Sequence, residues 1–486
     1  MKPMNLVYIM SDQHNPRMMG CVGHPIVQTP NLDSLAARGV RFNHAYTNCP
    51  ICVPARASHA TGRYVHQIAY WDNGTPYDGR FPSWGHRLGQ QGHHVTTIGK
   101  LHYRSDADDN GFPDERLPMH VHEGEGDVFG LLRDDMPVMP GARKRFANIG
   151  PGDSDYSRYD LAIADASVRW LHQEARAHDK PWVLFVSFVR PHPPWQTPPE
   201  FYELYPLDRV DLPKNYSLAE RPMHPALEAN RHRISVEDEL PEEVIRRAVA
   251  AYYGLCTFLD WNVGKVLKAI DDAGLSDNTR IIYTSDHGEM LGEHGLWFKS
   301  AMYDGAAAIP MIAAGPDIPS DVVADTNVSL VDSFPTILEA VGVAPSAEEA
   351  DLPGASLWPI ARGEGSSQRA VLSEYHASGS PSGIFMLRGP RYKYIHYTGF
   401  APQLFDLVAD PEEAHDLAND PTQSDVLKAC EQELRGVLNP EAVDRQAKAD
   451  QARIIEAHGG RAAVLARGPS FVNATPAPRE FRVQGD

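Results

Sequence analysis

The chain has 486 residues, 42% of them hydrophobic and 9% aromatic, with a formal net charge of −19. That length can bury one very large core or two unequal ones, and the apolar share excludes an intrinsically disordered chain. The negative balance argues against a nucleic-acid partner, whose phosphates select basic faces, and no run reaches the ~18 apolar residues of a membrane span.

The first apolar run, Leu6-Val7-Tyr8-Ile9-Met10, meets Ser11 and Asp12 at once. It is too short for the core of a signal peptide and lacks a small-residue cleavage site, so the expected location is the cytoplasm. Runs of strand length at 5–10, 95–98, 182–188, 280–285 and 310–314 alternate with helical patterns. This predicts an α/β fold with a large, mostly parallel central sheet flanked by helices. Thr29 reads as a helix cap, with Pro30 in the first position, Leu32, Leu35 and Ala36 on one face and Gly39 at the end. Longer helices are predicted at 161–177 and 242–273.

After about Ser373 the pattern changes. Residues 385–388 and 392–397, separated by Gly389-Pro390, predict an antiparallel hairpin, and a helix follows at 424–438. The expected division is therefore a catalytic α/β domain over 1–373, a smaller C-terminal subdomain of antiparallel sheet plus helix over 374–466, and an extended tail over 467–486. The tail is either disordered or an arm that anchors Phe471, Val472, Phe481 and Val483 in a neighbouring subunit. The second reading predicts a homo-oligomer, a dimer or a tetramer.

The 5 cysteines, Cys21, Cys49, Cys52, Cys256 and Cys430, are an odd and scattered set that makes no disulfide framework. Cys49-x-x-Cys52 lacks the second pair that a structural zinc site wants.

Ligands of open α/β sheets bind beyond the carboxyl ends of the strands, and this chain concentrates its unusual residues there. The first strand runs into Asp12-Gln13, the second into Gly99-Lys100-Leu101-His102, the third into Arg190-Pro191-His192-Pro193 and the fourth into Asp286-His287-Gly288-Glu289. Between them lies Cys52-Val53-Pro54-Ala55-Arg56, followed by Thr61-Gly62-Arg63-Tyr64.

C-x-P-x-R with T-G-R downstream resembles the signature of the type I sulfatases, in the alkaline phosphatase superfamily. Further segments resemble family landmarks: Thr29-Pro30-Asn31-Leu32-Asp33, Gly99-Lys100-Leu101-His102, Ser285 to Lys299, Val331 to Thr336 and Leu404-Phe405-Asp406-Leu407. The spacing from Gly292 to Lys299 resembles the choline-sulfatase and phosphonate-hydrolase branch. Ala55, where many members have Ser, and His59-Ala60, where apolar residues are common, depart from the pattern.

The resemblance implies a sulfuric ester hydrolase in which Cys52 is oxidised to formylglycine by a dedicated formylglycine-generating enzyme. The hydrated aldehyde offers one hydroxyl to attack sulfur and a second whose deprotonation expels sulfate. Asp12, Gln13, Asp286 and His287, with the nucleophile at Cys52, would hold one divalent cation. Oxygen ligands suit Ca2+ and the imidazole tilts towards Mn2+; many relatives carry Asn in place of His287 and a second Asp in place of Gln13. Arg56 would hold the diol oxygens, His102 would be the base beside Lys100, and His192 and Lys299 would bind sulfate oxygens and protonate the leaving group. Trp195, Tyr103, Trp71 and His294 line the pocket for the alcohol or pack in the core. The small-molecule partner would be a sulfate ester. Competing readings are a phosphonate monoester hydrolase or phosphodiesterase on the same scaffold, a two-zinc phosphatase, whose Asp-x-x-x-His element is not placed, and a binding protein that keeps Cys52 as a thiol.

Overall fold

In the computed structural model, which describes residues 2–469 and 476–482, the apolar runs become the strands of one mixed sheet. In chain order these are β1 (Asn5–Asp12), β2 (Gly39–Phe42), β3 (Val95–Lys100), β4 (Asp114–Met119), β5 (Val183–Pro191), β6 (Thr279–Ser285), β7 (Met311–Ala314) and β8 (Val322–Ala324). They lie in the order β8-β2-β7-β6-β1-β5-β3-β4. β1 is central and parallel to both neighbours, with Ser11 opposite Ser285 on β6 and Met10 opposite Ser187 on β5. β3 continues the parallel run, while β7 is antiparallel to β6 and β2. Every residue of β1, β3, β5 and β6 is buried, as expected for parallel strands covered on both faces.

The two faces divide the side chains of β1 by their period of two. Val7 and Ile9 meet Ile163, Trp170, Val263 and Ile270 from two long helices, α3 (Asp155–Gln173) and α4 (Glu242–Asp272). Leu6, Tyr8 and Met10 share the other core with Ala55, Ala57 and Ala60 of α2 (Cys52–Thr61). One expected helix start and one expected cap are corrected. α3 begins at Asp155, not at 161, because Ser154 accepts a hydrogen bond from Ser157 N and caps it. α1 (Pro30–Ala37) is capped not by Thr29 but by Asp260 of α4, whose carboxylate accepts from Asn31 N at 3.1 Å and Leu32 N at 2.8 Å. Thr29 Oγ1 instead donates to Asp33. Gly39 does not merely end α1: it opens β2, where a Cβ would stand 2.3 Å from the Ala313 carbonyl.

A second, antiparallel sheet runs β9 (Val371–Tyr375), β10 (Ile384–Arg388), β11 (Tyr392–Tyr397) and β12 (Gln403–Asp406), with β10 and β11 as the hairpin about Gly389-Pro390. Helix α5 (Ser424–Val437) brings Leu434 against Leu372, Phe385 and Tyr394. A further helix, α6 (Pro440–Ala457), returns to the large sheet's side, where Asp450 accepts from Trp71 Nε1 and Gln451 donates to Asp72. In the tail, Phe481 packs against Tyr159 of its own chain, with ring centroids 5.3 Å apart. Phe471, Val472 and Val483 lie outside the described residues.

Candidate active site

Because β1, β3, β5 and β6 are parallel and adjacent, their carboxyl ends open on one edge, and α2 points its first residue at it. Cys52 occupies the first turn of α2 after the extended Ile51, where unpaired amides favour negative charge. Its Sγ lies 3.2 Å from His287 Nε2, 3.3 Å from Lys299 Nζ and 3.7 Å from Asp12 Oδ1. Burial and Asp12 push the thiol up, but Lys299, Lys100 and His287 together hold it below its ordinary value.

Asp12, at the end of β1, would be raised by burial alone. Lys100, with Nζ 2.5 Å from Oδ2, and then His192, Lys299 and His287 hold its carboxyl well below the usual range. Ligand atoms of Asp12, Cys52, Asp286 and His287 all lie within 4.8 Å of one another, and all four residues are buried. His287 Nδ1 is 2.9 Å from the Gly288 carbonyl, so a proton held there leaves Nε2 facing the carboxylates at 3.7 Å. Burial lowers His287, yet Asp286 raises it above its ordinary value. The field at this point calls for positive charge. Two carboxylates and one imidazole around a small space therefore fit a divalent cation. Cys49 is buried but is not one of these donors.

Gln13 stands at φ 68° beside this group. Its Oε1 accepts from Lys299 Nζ at 2.6 Å and its Nε2 donates to Glu289. Arg56 has two of its three nitrogens engaged away from Cys52, while Nη2 is buried with no hydrogen-bond partner among the described residues. Its Nε donates to Asp286 Oδ2 at 2.8 Å and its Nη1 to the Lys100 carbonyl at 2.7 Å and Ser187 Oγ at 2.9 Å. It therefore braces Asp286 and the end of β3.

His102 and His192 both line the cavity over Cys52. Burial drives each well below its ordinary value, helped by Lys100 and Arg56 for His102 and by Lys299 for His192, so both are neutral bases. His192 Nδ1 is 2.6 Å from the Pro193 carbonyl. A proton donated there makes Nε2 an acceptor, which leaves Lys299 as the donor of the expected pair.

Glu289 was missed as a site residue, although it belongs to the quoted Asp286-His287-Gly288-Glu289. Fully buried, it accepts from Leu291 N at 2.8 Å and Phe298 N at 2.6 Å as well as from Gln13. It thereby ties down the loop that presents Lys299, whose neighbours Phe298 and Ser300 adopt positive φ. Tyr156, Trp297, Arg145, Arg233 and Asp127 also line the cavity, and no spacing in the sequence marks them. Trp195, Tyr103, Trp71 and His294 take their packing roles. Trp195 stacks on Phe298, Tyr103 meets Tyr77, Trp71 donates to Asp450 and His294 stacks on Tyr303.

Comparison with known proteins matches the Sulfatase family model to residues 4–343 and the C-terminal model of N-sulphoglucosamine sulphohydrolase to residues 292–439. The chain is 30% identical over 463 residues to arylsulfatase K of Rattus norvegicus, covering 90% of this chain and 78% of that one. It is 31% identical over 470 residues to the choline-sulfatase of Rhizobium meliloti (strain 1021), covering 92% and 90%. Among solved structures, the phosphonate monoester hydrolase of Agrobacterium radiobacter is alike in fold, with a TM-score of 0.71 at 24% identity over 91% of this chain and 96% of that one.

Proposed function

This chain belongs to the sulfatase family, and we propose that it cleaves sulfate monoesters with a formylglycine made from Cys52 as nucleophile. The observation that carries the reading is the convergence of His287, Lys299 and Asp12 on Cys52 Sγ, at 3.2, 3.3 and 3.7 Å.

Formylglycine, when hydrated, supplies a hydroxyl nucleophile and a second hydroxyl that lets sulfate leave without water attacking sulfur. Asp12, Asp286 and His287, with Gln13 beside them, would hold one divalent cation, Mn2+ or Ca2+, which would supply positive charge next to the sulfuryl oxygens. Lys100 offsets the charge of Asp12, and Arg56 fixes the direction of Asp286. Neutral His102 takes the proton of the second hydroxyl. Lys299, 3.3 Å from Sγ, donates to a sulfate or leaving-group oxygen, and neutral His192 helps to frame the sulfate. The partner during synthesis would be a formylglycine-generating enzyme that reads Cys52-Val53-Pro54-Ala55-Arg56.

Mass spectrometry of the peptide over Cys52, from protein produced with that enzyme, is expected to find formylglycine, and Cys52→Ala to abolish turnover. An unmodified thiol with full activity would sink the mechanism. A sulfate monoester shares its single negative charge with phosphonate monoesters and phosphodiesters, so some cross-reactivity is expected. With one aryl leaving group throughout, kcat/KM is expected to be highest for the sulfate. A tenfold advantage of the phosphonate or diester, about 1.4 kcal/mol in transition-state binding, would hand the assignment to a phosphonate hydrolase.

A further inference from the structure

The cavity over Cys52 carries more positive charge than the sulfate group needs. Besides Lys100 and Lys299, its wall holds Arg145, from the turn Ala142–Phe146, and Arg233, from the helix Pro225–Ile234. Arg233 is 2% exposed and donates only to neutral acceptors, Ser378 Oγ at 2.7 Å and the Pro137 carbonyl at 2.8 Å. Its Nη2 is buried with no hydrogen-bond partner among the described residues, a state that costs free energy until an acceptor arrives. Half-buried Arg145 lies over the Phe298 ring at 5.4 Å and donates to the Met139 thioether at 2.8 Å.

The acid on this part of the wall is Asp127. It caps Gly130 N at 3.2 Å, and burial pushes its carboxyl above the ordinary range against the pull of Arg233 and Arg145. Two guanidiniums thus line the wall beside one carboxylate, and Arg233 keeps a buried donor without an acceptor, which is costly inside a cavity. A guanidinium fork is shaped for a carboxylate or sulfate, whereas a cationic alcohol would be repelled here, since Arg145 already occupies the face of Phe298.

We propose that the alcohol part of the substrate carries a second anionic group, a carboxylate or a further sulfate, bound by Arg145 and Arg233 while the ester sulfate lies over Cys52. This rests on the sulfatase reading above.

The test compares kcat/KM of the mature enzyme for 4-nitrophenyl sulfate and its ring-carboxylate, ring-sulfonate and ring-trimethylammonium analogues. At least one of the two anionic esters is expected to exceed the neutral one by on the order of tenfold, mainly through KM, the usual scale of a charged hydrogen bond. The carboxylate and sulfonate arms tell which anion the site takes, and the ammonium ester is expected to be poorest. Arg145→Met and Arg233→Met are each expected to pull the anionic-to-neutral ratio towards one. If Arg233→Met does not fold, Arg145→Met and the unmutated series decide. A neutral or cationic ester that matches or beats both anionic ones overturns the proposal, as does a ratio that neither substitution moves. Turnover of 4-nitrophenyl sulfate in that case keeps the sulfatase reading intact; failure on all four esters sinks that reading and this one with it.

Discussion

Nζ of Lys299 lies 3.3 Å from Cys52 Sγ and 2.6 Å from Gln13 Oε1, so a single ammonium faces both the Cys52 sulfur and the neutral amide beside the cluster of Asp12, Asp286 and His287. A donor in that position serves a departing oxygen most when the alcohol is a poor leaving group. Lys299→Ala is expected to lower kcat by on the order of 10²–10³, and by less for nitrophenyl esters, which need no proton. Equal losses for nitrophenyl and alkyl esters would restrict Lys299 to holding sulfate. At this scale the sequence was most readable where the chemistry needs rare types at strand ends. Asp12, Lys100, His192 and Asp286 could each be named because a buried sheet of apolar residues makes them conspicuous, and Cys52, at the start of α2, because of the motif around it. Glu289 and Arg233 could not. Their roles depend on which donors a folded loop or a distant helix brings to them, and a carboxylate in a loop or an arginine on a helix has many ordinary uses.

Elements whose signals are local, such as the long helix α4 and the hairpin of β10 and β11, were legible in advance. Elements finished by a distant partner were not, as the capping of α1 by Asp260, 229 positions away from Asn31, illustrates. The joint between the short helix Val65–Ile68 and strand β9 is of the same kind. Glu374 of β9 accepts from His66 Nδ1 at 2.8 Å and from the His66 amide at 3.0 Å, and it also meets His376. Burial alone would raise Glu374, but His66 and His376 hold it well below the usual carboxylate range. Burial would lower His66, and Glu374 raises it above its ordinary value. The carboxylate therefore stabilises the fold above its unfolded pKa of about 4.3 and loses that contribution as pH falls through the lower folded value. The imidazolium contributes below about 6.5 and loses its share as pH rises through the higher folded value. The Tm difference between the protein and Glu374→Gln is expected to be widest between about pH 5 and 6.5, shrinking on either side. A difference that is flat from pH 4 to 8.5 would show that the pair is not coupled to folding.

For the whole molecule, the α/β architecture with its smaller antiparallel sheet followed from the order of apolar periods, and the arrangement of the residues after 438 did not. Helix α6 returns to the loop of Trp71 and Asp72, and the segment ending at Phe481 to Tyr159 of α3, partners that lie far away in sequence. With Ala477 only 1% exposed and Phe481 against Tyr159, the end of the chain covers its own α3. Ending the chain at Gly468 is therefore expected to lower Tm by uncovering this apolar contact, while light scattering reads whether the subunit number changes as well. An unaltered Tm with a smaller assembly would return the tail to the role of an arm between subunits.

All ten residues of α2, from Cys52 to Thr61, are buried, and Cys52 itself is only 1% exposed. On the formylglycine reading proposed above, the segment that a maturation enzyme would have to grasp is sealed between the sheet and its neighbours once the chain has closed. Oxidation of Cys52 would then have to precede closure of the fold. Chains that close first would form a dead fraction with the same fold and a thiol in place of the aldehyde. The specific activity of a preparation then records how quickly each molecule was met during synthesis, and neither added metal nor added modifying enzyme recovers the folded remainder.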